Sequence, residues 1–333
     1  MHISIRASAR RMWCLGLGFV LLASLITSQP AAAATSYPTK PVRIVVPYGP
    51  GGIADVTMRL VAEQLSNHFG KQFYIENRPG AGGVVGLEAA LQSPPDGYTM
   101  VMIGGGLTIA KALFRHLPYD IEKDVQPVST TASYGLTMVT SAKSPFKSVA
   151  DFIAAAKAKP GTLNIGTINA GSTQNLAAEL FRLRTGINVT VIPYKTTPEL
   201  ASAVLRGDVQ AAFEYFAGLQ PLVLNKQMKV LATTGKTRAT NLPDVPTLME
   251  SGVRDYDVTS WNGLAVRSGT PNEIVKLLHA AIANALAASK VQQFAQKAGM
   301  DASPMTPDAL RAQIKANVAQ WTEVVQRAGI KRH

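Results

Sequence analysis

Short apolar, β-branched runs alternate along this chain with stretches in which apolar residues recur every three or four positions. The run VRIVVP at 42–47 predicts a buried strand. After a Gly-Pro-Gly-Gly turn, a helix beginning near Ile53 sets Val56, Leu60, Val61, Leu65 and Phe69 on one stripe. Strands follow at 72–76 and 98–103, with a helix at 83–91 between them. Alternation of this kind predicts parallel strands joined by helical crossovers. The middle of the chain is less regular, and then the pattern restarts. Residues 148–159 predict a helix, 163–166 a strand, and 173–184 a helix with Leu176, Leu180 and Leu183 on its buried face. Strands at 189–193, 210–214 and 229–232 complete a second set, with helices at 198–206 and 219–225. A proline-punctuated loop at 241–246 leads to a strand at 261–266, and two or three helices run from Pro271 to the end.

Residues 271–333 are too few and too helical to fold alone, so they are expected to pack back on the first unit. The predicted architecture is α/β with two lobes, each a mixed, mostly parallel sheet flanked by helices. One lobe combines residues 35–138 with 260–333, and the other takes 139–259.

The first 34 residues stand outside this pattern. Arg6, Arg10 and Arg11 precede a 15-residue uncharged run at 12–26, and Ala31 to Ala34 supply small-residue cleavage sites. This is the layout of a cleaved secretion leader. The run is shorter than the roughly 20 residues of a membrane-spanning helix. The expected location is the periplasm, by the general secretion route, with Arg10-Arg11 leaving twin-arginine export open. The only cysteine, Cys14, lies in the leader, so no disulfide, thiolate-metal site or cysteine nucleophile is expected afterwards. Loss of the three leader arginines lowers the formal charge from +12 to +9. A positive surface draws anionic solutes, membranes or nucleic acid. The basic residues are dispersed and never interleaved with aromatics, which argues against nucleic acid.

Two strand-to-helix junctions, one in each predicted lobe, carry the candidate chemistry. The first is Tyr48-Gly49-Pro50-Gly51-Gly52, running on to Asp55; the second is Ala170-Gly171-Ser172-Thr173-Gln174-Asn175. Glycine lets a ligand approach the backbone, and the helix that follows offers unpaired N–H groups and a positive dipole end. Ser172 and Thr173 add hydroxyl donors. A carboxylate held between two such ends needs no lysine or arginine. The same features also describe ordinary connecting turns, with Ser172 a plain N-cap. Asp55, in the first turn of its helix, is stabilised there without any ligand. Beside a bound anion it repels, unless it meets an ammonium or hydroxyl of the solute. Both roles stay open.

Longer strings make the pattern specific. YPTKPVRIVVPYGPGGIADVTMRLVAEQL at 37–65, NRPGAGG at 77–83, DGYT at 96–99 and PYDIEKDVQPV at 118–128 open an ordered series. GSTQNLAAELF at 171–181, VIPYK at 191–195, LPDVPTLMESG at 242–252 and WNGLAVRSGTP at 261–271 continue it. Over residues 37–333 the chain resembles the extracytoplasmic receptors of tripartite tricarboxylate transporters, the Bug or TctC-like family. The resemblance implies a type II periplasmic-binding fold of the Venus-flytrap kind. In it the loops at 48–55 and 170–175 pin one ligand carboxylate, and side chains deeper in the cleft read the rest. It implies a monomer without cofactor or metal, whose partners are membrane transporter subunits and a small carboxylate (a di- or tricarboxylate, amino acid or aromatic acid).

Three positions depart from the family pattern. Asn175 stands where histidine is usual, Thr196 where glycine is usual, and Glu214 where aspartate is common. Two of these flank the expected cleft, so a relative's ligand does not transfer directly. Lys195 is either a specificity residue or a surface charge. Glu214 either selects an amine or hydroxyl or holds the hinge. Thr108, after Gly104-Gly105-Gly106, either lines the cleft or belongs to a turn. A receptor that signals instead of feeding a transporter would have the same sequence features, because closure serves both.

Motifs that imitate enzymes are incomplete. Gly80, Gly82 and Gly86 suggest a nucleotide loop and Tyr119 with Lys123 a dehydrogenase pair, the mark of an exported oxidoreductase. The glycines, however, follow the second strand instead of the first, and Tyr119 follows a proline. His68, His116, His279 and His333 are isolated, so a zinc site has no ligand set. No Gly-x-Ser-x-Gly elbow surrounds Ser172. The chain reads as a non-enzymatic receptor.

Overall fold

The computed structural model describes residues 37–51 and 53–332; the predicted leader and Gly52 of the first loop lie outside the described residues. β1 (Val42–Val46) is fully shielded by α1 (Ile53–Phe69) and its neighbours, which is why its run is almost wholly apolar. It pairs in parallel with β2 (Phe73–Asn77) on one side. On the other side it pairs in parallel with β3 (Thr99–Gly104), reached through α2 (Val84–Leu91). α3 (Gly105–Leu113) leaves β3 without an intervening loop.

The stretch expected to be irregular holds the longest strand, β4 (Val125–Ser141). After it come α4 (Val149–Ala158), β5 (Asn164–Ile168), α5 (Thr173–Thr185), β6 (Thr190–Tyr194) and α6 (Thr197–Arg206). β7 (Ala211–Tyr215), α7 (Phe216–Leu224) and β8 (Met228–Thr233) complete the second set, and β9 (Thr259–Arg267) returns the chain to the first. α8 (Asn272–Ala287), α9 (Ser289–Ala298) and α10 (Pro307–Arg327) close it. Caps fix several boundaries. Ser148 and Asp151 form a reciprocal capping box at α4. Thr196, one of the departures noted above, is the N-cap of α6 and accepts the Glu199 N–H at 3.4 Å.

The strand order is β2-β1-β3-β9-β4-β7-β5-β6, with β8 also on β4. The fold is α/β and two-lobed, and β4 belongs to both sheets. Val125 to Gly135 pair antiparallel with β9, whereas Leu136 to Ser141 pair antiparallel with β7 and β8. The partner exchange falls between Gly135 and Leu136.

Two cores flank this crossing. Val45, Leu87, Val101, Ile103, Trp261 and Leu310 fill the first. Phe152, Leu176, Phe181, Phe213 and Tyr256 fill the second, with their aromatic rings in tilted and edge contacts. Ile109 and Leu113 of α3, and Trp321, Val324 and Val325 of α10, also enter the second core. Leu310 and Ile314 of α10 pack on the first core, and the later turns of the same helix reach the second. α10 continues past the first core because its late apolar positions find the exposed flank of α5.

Candidate ligand-binding site

The two glycine loops are built alike. In the first, the Gly51 N–H donates to Oδ2 of Asp55 at 2.9 Å. Asn77, at the end of β2, donates from Nδ2 to Oδ1 of Asp55 at 2.8 Å and to the Tyr48 carbonyl at 3.0 Å. Arg59 donates Nε to Oδ2 of Asp55 at 2.9 Å. Burial alone would push the Asp55 carboxyl up. The donors from Arg59, Gly51 and Asn77 outweigh it and hold the group below the usual carboxylate range. Asp55 is 2% exposed, and both its oxygens accept hydrogen bonds from the framework. In this arrangement it clamps the loop. Gly49, Pro50 and Gly51 stay exposed on the rim.

In the second loop the Gly171 N–H donates to Oδ1 of Asn175 at 3.0 Å, and Asn175 passes its Nδ2 to the Thr167 hydroxyl at 3.3 Å. Ser172 caps α5: its Oγ accepts the Asn175 N–H at 3.1 Å and donates to the Ile168 carbonyl at 2.5 Å. Asn175 is buried, and its amide bonds to the framework at both ends. These bonds leave the first helical N–H groups, those of Thr173 and Gln174, without an intrahelical acceptor. Gly171 has φ 77°, and a Cβ there would lie 2.8 Å from Leu113 Cδ1. The loop therefore rests against α3. Ala170 is exposed.

Aromatic hydroxyls cluster on the strands between the loops. Tyr48 lies beside α3, where a Cβ on Gly106 would come 3.3 Å from its Oη. Burial, and the neighbouring Tyr134, push the Tyr48 phenol up to about 12. Tyr134 on β4 meets Tyr215, at the end of β7, edge to face at 5.3 Å between ring centres. Burial raises both of these phenols as well. Tyr215 donates to Ser260 Oγ at 3.1 Å. Tyr134 donates to Asn262 Oδ1 at 3.4 Å. Asn262 is buried, and its Nδ2 has no acceptor among the described residues. Tyr134, Tyr215, Ser260 and Asn262 thus form one connected group on the strands that join the sheets, with Tyr48 beside α3. All three phenols stay protonated at neutral pH and serve as donors.

Beyond the second loop, Gln174 donates Nε2 to Oε1 of the buried Glu214 at 2.8 Å. Together with Ile168, Thr197, Tyr134 and Tyr215 they line a cavity of about 360 Å³. Lys195 is exposed; its backbone N–H donates to Glu199 at 3.1 Å, and its ammonium forms no ion pair with a described residue. Thr108 is wholly buried and donates to the Gly105 carbonyl at 2.7 Å, which corrects its assignment to the cleft wall. Tyr134, Tyr215, Ser260 and Asn262 were missed, although Tyr215 directly follows Glu214 and Asn262 sits inside a predicted strand.

The enzyme imitations dissolve. Gly86 is required because a Cβ would come 2.8 Å from Pro47 Cβ and 2.9 Å from the Arg78 carbonyl, so this glycine lets α2 pack against the chain that follows β1. Tyr119 is buried while Lys123 is exposed.

A family profile described as the tripartite tricarboxylate transporter family receptor matches residues 57–330. The chain is similar to protein BugT of Bordetella pertussis, with 32% identity over 94% of this chain and 96% of that one. Among solved structures, an R. palustris protein crystallised with adipate is 32% identical, with a TM-score of 0.72 over 89% of this chain and all of that one. A solute-binding protein of the same family from Polaromonas is 27% identical, with a TM-score of 0.79 over 87% of this chain and 99% of that one. MatC from Rhodopseudomonas palustris, with bound malate, is 27% identical, with a TM-score of 0.69 over 87% and 100%.

Proposed function

Because the chain belongs to the receptor family of tripartite tricarboxylate transporters, we propose that it works in the periplasm, after loss of residues 1–34, as a non-enzymatic monomer. It closes two lobes around a small carboxylate and delivers it to membrane subunits of such a transporter. The proposed lobes are residues 35–138 with 260–333, and 139–259, hinged where β4 changes partners. Solved relatives hold adipate and malate, both dicarboxylates.

The pair of clamped loops carries this reading. Each side-chain clamp fixes the loop at the start of its helix, and in the second loop the N–H groups of Thr173 and Gln174 are left to face an anion. Tyr48 Oη and Asn262 Nδ2 add donors between them. A helix end contributes about 0.3–1 kcal/mol to a nearby anion, up to about 2 when partly buried. Each hydrogen bond to a charged group adds about 1.5–3 kcal/mol. Micromolar affinity requires about 8 kcal/mol. Two ends and a few such bonds reach this after the cost of closure is subtracted.

The test is a thermal-shift screen of the leaderless protein against mono-, di- and tricarboxylates, amino acids and aromatic acids. A ligand at about 100 times its Kd stabilises by roughly 2.7 kcal/mol, which raises the Tm by several degrees. A flat response to the whole panel, repeated by equilibrium dialysis, overturns the reading.

A further inference from the structure

Glu214 is a buried carboxylate without a counterion. It is 2% exposed. Its Oε1 accepts from Gln174 Nε2 at 2.8 Å and from the Tyr215 N–H at 2.7 Å, and its Oε2 accepts from Thr197 Oγ1 at 2.9 Å. All three donors are neutral, and no ion pair among the described residues includes Glu214. A carboxylate offers about four acceptor positions, so one remains, on Oε2. Burying an uncompensated charge is costly, and interiors pair such groups with a cation when one is present. In a chain with a formal charge of +12, the absence of a basic partner here is specific.

The surroundings indicate what supplies the missing charge. The cavity of about 360 Å³ beside Glu214 has Glu214 as the one acidic or basic side chain on its wall. Ile168, Tyr134, Tyr215 and Phe216 give it apolar and aromatic walls, suited to methylenes and, through ring faces, to a cation. Gln174 joins this cavity to the carboxylate cradle. Its backbone N–H is among the free groups at the start of α5, and its side chain ends on Glu214. The two charged ends of a ligand are thus separated by the reach of a glutamine side chain, more than an α-amino acid spans.

Resting on the receptor reading above, we infer that Glu214 sets specificity and that the ligand is an ω-amino acid, its carboxylate on the glycine loops and its ammonium against Oε2 of Glu214. A dicarboxylate would place its second charge against Glu214 and be rejected.

Isothermal titration of the leaderless protein with 4-aminobutyrate and 5-aminopentanoate, against glutarate, adipate and butyrate, tests this. The ω-amino acids are expected to bind at least about tenfold more tightly than the dicarboxylates, since burying two like charges together costs more than the 1.4 kcal/mol that tenfold represents. Glu214→Gln keeps acceptor and donor atoms for Gln174 and Thr197 but removes the charge. It should lower ω-amino acid affinity at least about tenfold and raise that of the dicarboxylates, while butyrate binding stays unchanged and reports an intact fold. Thr197→Val, which releases Oε2, should preserve the wild-type ranking. Preference for dicarboxylates in the wild-type protein, or a ranking unmoved by Glu214→Gln, overturns this inference and leaves the receptor reading standing. Failure of every acid to bind overturns both.

Discussion

The loop after β1 and the loop after β5 are closed by the same bond, a glycine N–H donated to a side-chain oxygen four residues on. Gly51 meets Asp55 at 2.9 Å, and Gly171 meets Asn175 at 3.0 Å. They differ in charge. Asp55 brings a negative charge into the first turn of α1, and Arg59 and Asn77 neutralise or occupy it. Asn175 does the same mechanical work with an amide and passes its other end to Thr167. A helix start that must accept an anion cannot display a bare carboxylate, so the first loop needs a cation and a second-strand asparagine that the second loop does without. Two solutions to one geometric problem therefore differ in their sensitivity to pH and to substitution.

The largest expected difference lies at the glycines. Gly171→Val forces a β-branched residue into positive φ and drives its Cβ into Leu113. Strain and overpacking each cost about 1–3 kcal/mol, so a loss of roughly 2–6 kcal/mol should appear as a lower urea midpoint. Gly51→Val meets the same backbone strain, φ 82°, but open space around the Cβ. It should lose only about 1–3 kcal/mol. Equal losses at the two sites would show that α3 does not support the second loop.

Next come the clamps. Asp55→Ala strips the acceptor from Gly51, Asn77 and Arg59 at a buried position. A loss of about 1–3 kcal/mol is expected, with the larger part from the charge-assisted bonds. Asn175→Ala leaves the Gly171 N–H and the Thr167 hydroxyl unpaired, and about 1–2 kcal/mol follows. The order reverses if the first loop owes its shape to Pro47 and Pro50 instead of to Asp55.

How much of this was visible in the amino-acid order follows from which residues hide their roles. β1, β5 and the glycine loops are legible because an apolar run stops abruptly at glycine. β4 is not, because it buries Ser129, Thr130, Thr131, Thr137 and Thr140, which read as a polar connection. The structure satisfies four of those hydroxyls on backbone carbonyls: Ser129 on Met305, Thr130 on Ser303, Thr137 on Glu214 and Thr140 on Gln210. The three glycines at the start of α3 similarly mask a buried helix, and with it the place of Thr108. Ser172 and Asp55 were visible as candidates. Ser172 bonds to Ile168 within its own turn, but Asp55's place in the framework depends on Asn77, which the parallel pairing of β1 and β2 brings near. The contact of Tyr134 with Tyr215 is invisible for the same reason. Its members come from β4 and β7, and nothing in their spacing brings them together.

The comparison sharpens with pH. The Asp55 carboxyl titrates below its unfolded value, so the native state holds fewer protons than the unfolded chain through the acid range. Its contribution is complete above the ordinary aspartate pKa of about 3.9 and disappears as pH falls through the depressed native value. Denaturant midpoints followed from neutral pH into that range should decline less steeply for Asp55→Asn than for the wild-type protein. Asn175→Ala, which removes no titrating group, should leave the slope as it was. A wild-type slope in Asp55→Asn would mean that the other paired carboxylates, Glu76 and Asp120 among them, carry the acid response.

The smallest effect on stability belongs to Tyr48, and it separates binding from folding. Its phenol, held up to about 12 by burial and by Tyr134, remains a donor across the whole range in which a carboxylate ligand is ionised. Tyr48→Phe removes that donor and keeps the ring that Gly106 accommodates. A hydrogen bond to a charged group is worth about 1.5–3 kcal/mol, so affinity for a bound acid should fall by roughly tenfold to a hundredfold. The fall should be equal at pH 6 and pH 9, and the unliganded midpoint should move little. An affinity loss confined to high pH would require Tyr48 to ionise, contrary to its burial. No loss at all would place the carboxylate on the second loop alone, and the resemblance between the two clamps would then be architectural and not functional.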